Sequence, residues 1–275
     1  MSAEKLTKMW NQPVVVENKP GGNTTVGNVF VAKAPADGYT ILITPLPFSA
    51  LPGLYGATLP YDALKDFQPL VWAGSTQNAL VVRNDFPAKT VQEFLDYARK
   101  NPGKINYGST GSGSSNHLSM ELFMRMTGTK MAHIPYKGSA PMLTAMLGGE
   151  VDAAFDNVPN VVQHVKGGKM RAIGVSGLQR SGLMPEVPTV AESGVPGYEV
   201  NVWFGMQLPA GTPRPVVDKL NRDMVTLLKE PDVVQRFRAQ GVEVVASTPA
   251  EFQKLVQSEV GKWTELIKAA NIRIE

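Results

Sequence analysis

Hydroxyl, amide and imidazole groups crowd into one run of the chain, Ile105 to Ser119, reading INYGSTGSGSSNHLS. Ser109, Thr110, Ser112 and Ser114 supply hydroxyls, and Gly111 and Gly113 let a ligand approach the backbone. The run leads into an apolar-periodic segment, Ser115 to Met126, with Leu118, Leu122, Phe123 and Met126 on one face. A small-residue loop entering a helix gathers unpaired N–H groups at the positive end of the helix dipole, which favours an anion. The same pattern also serves as a plain capping loop, and the residues alone leave both readings open. Covalent chemistry fits less well. Ser112, His117 and Asp156 can be drawn as a hydrolase triad, but Gly111-Ser112-Gly113 lacks the outer spacing of GxSxG. His117 stands in a first helical turn, where its charged form is disfavoured.

Nucleotide and metal chemistry fail on spacing. Gly111-x-Gly113-x-x-Asn116 lacks the third glycine of a dinucleotide fingerprint. Gly22 and Gly27 have the outer spacing of a P-loop, but Asn28 stands where its lysine must be. The three histidines, His117, His133 and His164, form no metal-ligand pair, and there is no cysteine to supply a thiolate or a disulfide. No metal and no cofactor is expected. A net charge of +3 from 27 basic and 24 acidic residues is too small and too evenly spread for a nucleic-acid surface. No apolar run is long enough to span a bilayer.

The elements that must position this run alternate. Strands are expected at Pro13–Glu17, Tyr39–Thr44, Gln68–Ala73, Ala79–Arg83, Ile105–Tyr107, Lys130–Ile134, Val151–Phe155, Arg171–Ser176, Glu199–Leu208 and Val242–Val245. Helices are expected at Val26–Lys33, Thr90–Lys100, Ser115–Met126, Pro141–Leu147, Pro215–Lys229, Pro231–Ala239 and from Thr248 to about Ala270. Thr90 with Glu93, and Thr248 with Glu251, are capping-box pairs. Pro45–Ala50 reads as a loop at a strand tip, and Thr76, Gln77 and Asn78 as a bend. The class is α/β, and in parallel sheets of this kind ligands bind at the carboxyl ends of the strands. The opening MSAEKLTKMWNQ is an amphipathic half-helix, not a signal peptide, and suggests that something upstream has been removed.

Ordered motifs then carry a resemblance: QPVVVENKPGG, AKAPADGYTILI, YGSTGSGSSNH, HIPYKGSAPMLTAMLGGEVDAAFDN, and PEVPTVAESGVPGYEV with WFGMQLPAGTP. The chain resembles, along essentially its whole length, the Bug family of extracytoplasmic solute receptors, the binding components of tripartite tricarboxylate transporters. The resemblance implies a two-lobed, type II periplasmic-binding-protein fold with a ligand cleft between the lobes. Lobe 1 would comprise 1–79 and 204–275, and lobe 2 would comprise 80–203. It implies capture of a small carboxylate by lobe closure: a dicarboxylate, tricarboxylate, acidic amino acid or aromatic acid. It implies no bond-breaking step, a periplasmic location, a monomer, and delivery to integral-membrane subunits. A sensor ectodomain shares the fold and is the alternative; a serine hydrolase is the weaker one.

By position, the resemblance assigns Ser109, Thr110, Ser112, Gly113 and Ser114 to the second-lobe site. Tyr136, Lys137 and Gly138 join them from the neighbouring loop, and Asp156 from the next strand end. Pro47, Phe48, Ser49, Thr76, Gln77 and Asn78 are expected from the first lobe, with Trp203 at the return crossing. Tyr136 is a pocket-wall candidate that can also be packing, Lys137 reads as readily as a solvated cation, and Asp156 equally as a turn cap. Family members begin with a strand and a Pro-Gly-Gly loop that are absent here, about 20–30 residues in all, so the first strand of lobe 1 is expected to be missing.

Overall fold

The structure is a computed structural model and describes residues 2–274. In chain order the elements are α1 (Ser2–Trp10), α2 (Thr25–Ala32), β1 (Leu42–Pro45), α3 (Pro47–Tyr55), β2 (Phe67–Arg83), α4 (Val91–Lys100), β3 (Asn106–Ser109) and α5 (Ser115–Thr127). They continue with β4 (Ala132–Pro135), α6 (Ser139–Leu147), β5 (Ala153–Asn157), α7 (Val158–Lys166), β6 (Met170–Val175), β7 (Asn201–Pro209), α8 (Arg214–Leu228), α9 (Pro231–Ala239), β8 (Glu243–Val244) and α10 (Pro249–Ala270). The chain divides into two compact units. One holds the chain up to Ser75 with Trp203–Gly261, and the other holds Thr76–Val202 with the chain from Lys262 onward.

This division differs from the expected lobes at both crossings. Thr76, Gln77 and Asn78 fall in the second unit, and Gln77 and Asn78 bond within it. The Asn78 N–H donates to Ser176 Oγ at 2.9 Å, and Gln77 Nε2 donates to the Gln179 carbonyl at 3.0 Å. The end of α10 also leaves the first unit. Lys262 Nζ donates to the Glu199 carbonyl at 2.7 Å, and Arg125 pairs with Glu265 at 3.7 Å.

In the first unit β7 pairs antiparallel with β1, from Leu42 opposite Gln207 to Pro45 opposite Phe204, and β8 pairs with β2 at Gly74 and Ser75. Leu6, Leu70, Val71, Leu208, Val217, Leu220, Met224 and Leu227 form the buried core, so α1 and α8 pack their apolar stripes on the sheet. β1 is an edge strand, bonded only to β7 among the described residues. Pro13–Glu17 does not form the expected strand, and Val15 and Val16 stay exposed. A β-rich segment without a neighbour to complete its ladder has no means of pairing its backbone. Tyr39 likewise lies outside β1 and is exposed.

Pro45–Ala50 is not wholly a loop: α3 starts at Pro47, where a missing N–H costs nothing. Gln68–Ala73 and Ala79–Arg83 are one continuous strand of 17 residues, without the expected bend at 76–78.

In the second unit β3 lies between β4 and β5, parallel to both, and β2 pairs antiparallel with β5 on one side and β6 on the other. The chain leaves β3 for β4 through α5, then returns past β3 to β5 through α6. The carboxyl ends of β3 and β5 therefore flank the point where strand order reverses. Ala79 and Val81 face one side of β2, with Met142, Met146, Val161 and Met184. Leu80 and Val82, equally buried, face the other. An aromatic chain, Phe86, Phe94, Phe123, Phe155 and Tyr198, runs with centroid spacings of 5.8–6.1 Å. Helix α4 is capped as expected, Thr90 Oγ1 accepting from the Glu93 N–H at 3.2 Å. The helix α7 was not expected. Its second residue is Pro159, and proline is tolerated in a first helical turn.

Candidate functional site

The candidate site is built within the second unit. Helices α5, α6 and α7 all begin at the carboxyl ends of β3, β4 and β5. Their N-termini turn the reversal point into a polar floor with positive dipole ends. Gly111 and Gly113 have φ of 116° and 77°, values a side chain would strain, which is why glycine stands in this loop. Ser114 caps α5, its Oγ accepting from the His117 N–H at 3.3 Å.

Asp156 is the centre of the floor. It is 1% exposed. Its Oδ1 accepts from Asn116 Nδ2 at 3.1 Å, the Asn157 N–H at 2.7 Å and Asn160 Nδ2 at 3.1 Å, and its Oδ2 accepts from Ser139 Oγ. Burial pushes its carboxyl above the usual range, and the donors from Ser139, Asn160, Asn157 and Asn116 only partly offset that. Asn116 also donates to the Phe155 carbonyl at 2.8 Å and accepts from Thr110 Oγ1 at 2.6 Å, which ties the loop after β3 to the end of β5.

Beside this network lie three buried oxygens that find no hydrogen-bond partner in the protein: Thr76 Oγ1, Asn78 Oδ1 and Asn157 Oδ1. Thr76 and Asn78 are two apart on β2, and Asn78 stands opposite Asn157 in the register, so all three share one face. Buried polar groups are normally paired, so a row of unmet acceptors marks a place where a donor from outside the protein fits. Asn78 Nδ2 is itself held by Ser119 Oγ at 2.9 Å.

The expected site residues separate into two groups. Thr110, Ser112, Gly113, Ser114 and Asp156 come together around the reversal point, with Asn78 and Thr76 on the adjoining strand. Ser109 is there too, but its hydroxyl is fully buried and bonded to His133 Nε2 at 2.6 Å. Gly113 gives its N–H to His117 Nδ1 at 3.1 Å and Gly111 gives its own to Ser109 Oγ at 3.0 Å, so these amides hold the loop itself. Tyr136, Lys137 and Gly138 follow β4; Lys137 is exposed.

In the first unit Phe48 packs with Tyr61 and Phe67 at centroid distances of 6.0 and 5.2 Å, and Ser49 Oγ donates to the Leu46 carbonyl at 2.6 Å. Trp203 is fully buried against Phe252 at 5.7 Å, with its Nε1 on Glu259 at 3.2 Å. Phe48, Ser49 and Trp203 therefore do structural work, because their apolar surface or hydroxyl is used inside the unit. Pro47 opens α3.

The sequence reading passed over Asn157, Ser139, Asn160 and Ser119. Each is an ordinary polar residue near a strand end or helix start, and only the fold assembles them. The drawn triad is not assembled, because Asp156 accepts from amides and a hydroxyl while His117 Nδ1 accepts from Gly113. A cavity of about 410 Å³ lined by Arg83, Asp85, Gly149 and Lys169 lies at the far end of β2, where Arg83 is already paired with Asp85 and Asp152. Among the described residues no cluster of three or more metal-ligating side chains occurs, and no helix is long and apolar enough to cross a membrane.

Known proteins match this architecture closely. BugT of Bordetella pertussis is 32% identical over 277 residues, which cover 99% of this chain and 84% of BugT. The R. palustris protein Rpa4515, solved with adipate, superposes with a TM-score of 0.86 at 35% identity over 98% of this chain and 91% of that one. MatC from Rhodopseudomonas palustris, solved with malate, gives 0.83 at 30% identity over 96% and 91%. The fold is that of the periplasmic binding proteins. Residues 1–272 match the family described as the tripartite tricarboxylate transporter family receptor, and the chain belongs to that family.

Proposed function

We propose that this chain is a periplasmic receptor that binds a small dicarboxylate and presents it to the membrane subunits of a tripartite tricarboxylate transporter, without catalysing a reaction. The observation that carries the reading is the family match across residues 1–272, joined to relatives whose structures hold adipate and malate. The polar floor of the second unit supports it. Hydroxyls of Ser112 and Ser114 and three converging helix N-termini suit a carboxylate without an arginine clamp. The acceptor row of Thr76, Asn78 and Asn157 suits a hydroxyl, an ammonium or a bridging water on the ligand's other side.

The test is a thermal-shift and calorimetric screen with adipate, malate and citrate, each beside its amide. A ligand at one hundred times its dissociation constant stabilises by about 2.7 kcal/mol, well within detection. Binding of one acid and not its amide is expected; equal response to acid and amide would refute carboxylate recognition. Ser112→Val is expected to weaken binding more than Lys137→Ala. The reverse order would mean that an exposed lysine, not the hydroxyl loop, holds the anion.

A further inference from the structure

Behind the loop that follows β3 stand two imidazoles that the carboxylate reading does not use. His117 on α5 and His133 on β4 stack face to face, with centroids 4.1 Å apart and planes 5° from parallel. Tyr107 on β3 extends the stack at 4.9 Å from His133. The groups facing the pair are Glu121, from the same helix as His117, and Tyr107, whose hydroxyl donates to Glu121 Oε1 at 2.6 Å. Glu121 Oε1 also lies 3.5 Å from His117 Nε2. Each ring reaches the loop by its remaining nitrogen: His117 Nδ1 accepts the Gly113 N–H at 3.1 Å, and His133 Nε2 meets Ser109 Oγ at 2.6 Å, which accepts the Gly111 N–H at 3.0 Å. An Nδ1 that accepts an N–H presents its lone pair to the loop.

We propose that His117 and His133 are positioning residues for the anion-binding loop: the stacked imidazoles fix the positive-φ backbone at Gly111 and Gly113 and thereby the direction of the Ser112 and Ser114 hydroxyls. The inference rests on the carboxylate reading only for what the loop binds, not for how the loop is held. Removing either ring takes away one face of the 4.1 Å stack, and removing His117 also takes away the acceptor of the Gly113 N–H.

The experiment is amide hydrogen exchange at Gly111 and Gly113, referenced to the interior amides of α5, for the full chain, His117→Phe and His117→Asn. Phenylalanine keeps a flat ring for stacking but has no acceptor; asparagine restores an oxygen acceptor near the Nδ1 position. Gly113 protection is expected to fall about tenfold in His117→Phe, the loss of one ordinary hydrogen bond, and to recover in His117→Asn. Unchanged protection in His117→Phe, or no recovery in His117→Asn, overturns the proposal. If His117→Phe does not fold, His133→Phe decides: it keeps a flat ring but removes the partner of Ser109 Oγ, so Gly111 protection is expected to fall, and unchanged protection overturns the proposal. Adipate and malate titrations on the same proteins keep the two readings apart. Failure of the unmodified chain to bind either acid counts against the ligand assignment, and the exchange result still decides the role of the histidines.

Discussion

Replacing Asp156 separates the worth of its charge from the worth of its shape. All three N–H donors to this residue converge on Oδ1, while Oδ2 meets only the Ser139 hydroxyl. In Asp156→Asn the amide oxygen can take the Oδ1 place and the NH₂ group the Oδ2 place, with the Ser139 hydroxyl turning to accept. Every partner is kept. In Asp156→Ala the Asn157 N–H, fixed in the backbone, is stranded, and Asn116 and Asn160 lose a partner each, although Asn116 keeps the Phe155 carbonyl. One stranded N–H costs roughly 1–3 kcal/mol and the lost side-chain bonds add about 1 more, so Asp156→Ala should cost about 3 kcal/mol. Asp156→Asn should stay within about 1 kcal/mol of the parent.

The pH dependence has a definite sign. Burial raises the Asp156 carboxyl in the folded chain above 3.8, so the folded state holds the proton longer than the unfolded state. Its contribution to stability is present at low pH and declines as pH climbs from 3.8 through the raised value. Asparagine escapes that decline, and the gap between parent and Asp156→Asn should narrow or reverse toward neutrality. Urea unfolding followed by circular dichroism reads both effects; for Asp156→Ala the midpoint should drop by roughly 1–2 M with an unchanged slope. Equal losses in the two variants would show that the charge, not the donor geometry, holds the floor together, and would refute the reasoning.

His133 predicts a second pH effect. Burial, then the neighbouring His117, lowers its imidazole from the ordinary 6.5 to about 4, so the unfolded chain binds the extra proton across that window. Stability should therefore fall as pH drops from about 6.5 to about 4, by well under about 3 kcal/mol because the ring is only partly buried and solvent screens part of the effect, and His133→Gln should flatten that part of the profile in denaturant titrations. In the first unit a Cβ on Gly205 would lie 2.0 Å from Phe252 Cζ, against a ring that is fully buried. Gly205→Ala should cost about 1–3 kcal/mol by overpacking, seen as a lower melting temperature, whereas Gly261→Ala, inside α10 with no neighbour to meet, should cost nothing or stabilise slightly.

Much of the architecture was legible because it depends on local signals. Thr90 with Glu93 announced α4, and the Leu118, Phe123 spacing announced α5. Helix α3 was hidden because PFSALPGLY carries two prolines and a glycine and is apolar on nearly every side, so no amphipathic period shows. The bend expected at Thr76–Asn78 followed from three polar residues between apolar runs. In the fold each of the three presents an oxygen that the protein leaves unmet. At the site, the loop after β3 was visible as a cluster of glycines and hydroxyls, but the division of labour within it was not. Ser109 looks like its neighbours in sequence, and only the parallel register that sets Tyr107 beside His133 shows that its hydroxyl faces inward. Pairing between strands carries no local signature, and the same blindness hid Asn157 and Ser139.

The bare edge of β1 bears on how the protein behaves in a tube. Ile43 on that strand is 61% exposed, and among the described residues the strand bonds to β7 alone. An apolar strand edge is a template for another chain. Concentrated samples should scatter more light with time than dilute ones, and Ile43→Lys should suppress the growth by putting a charge on the template without touching the polar floor in the other unit.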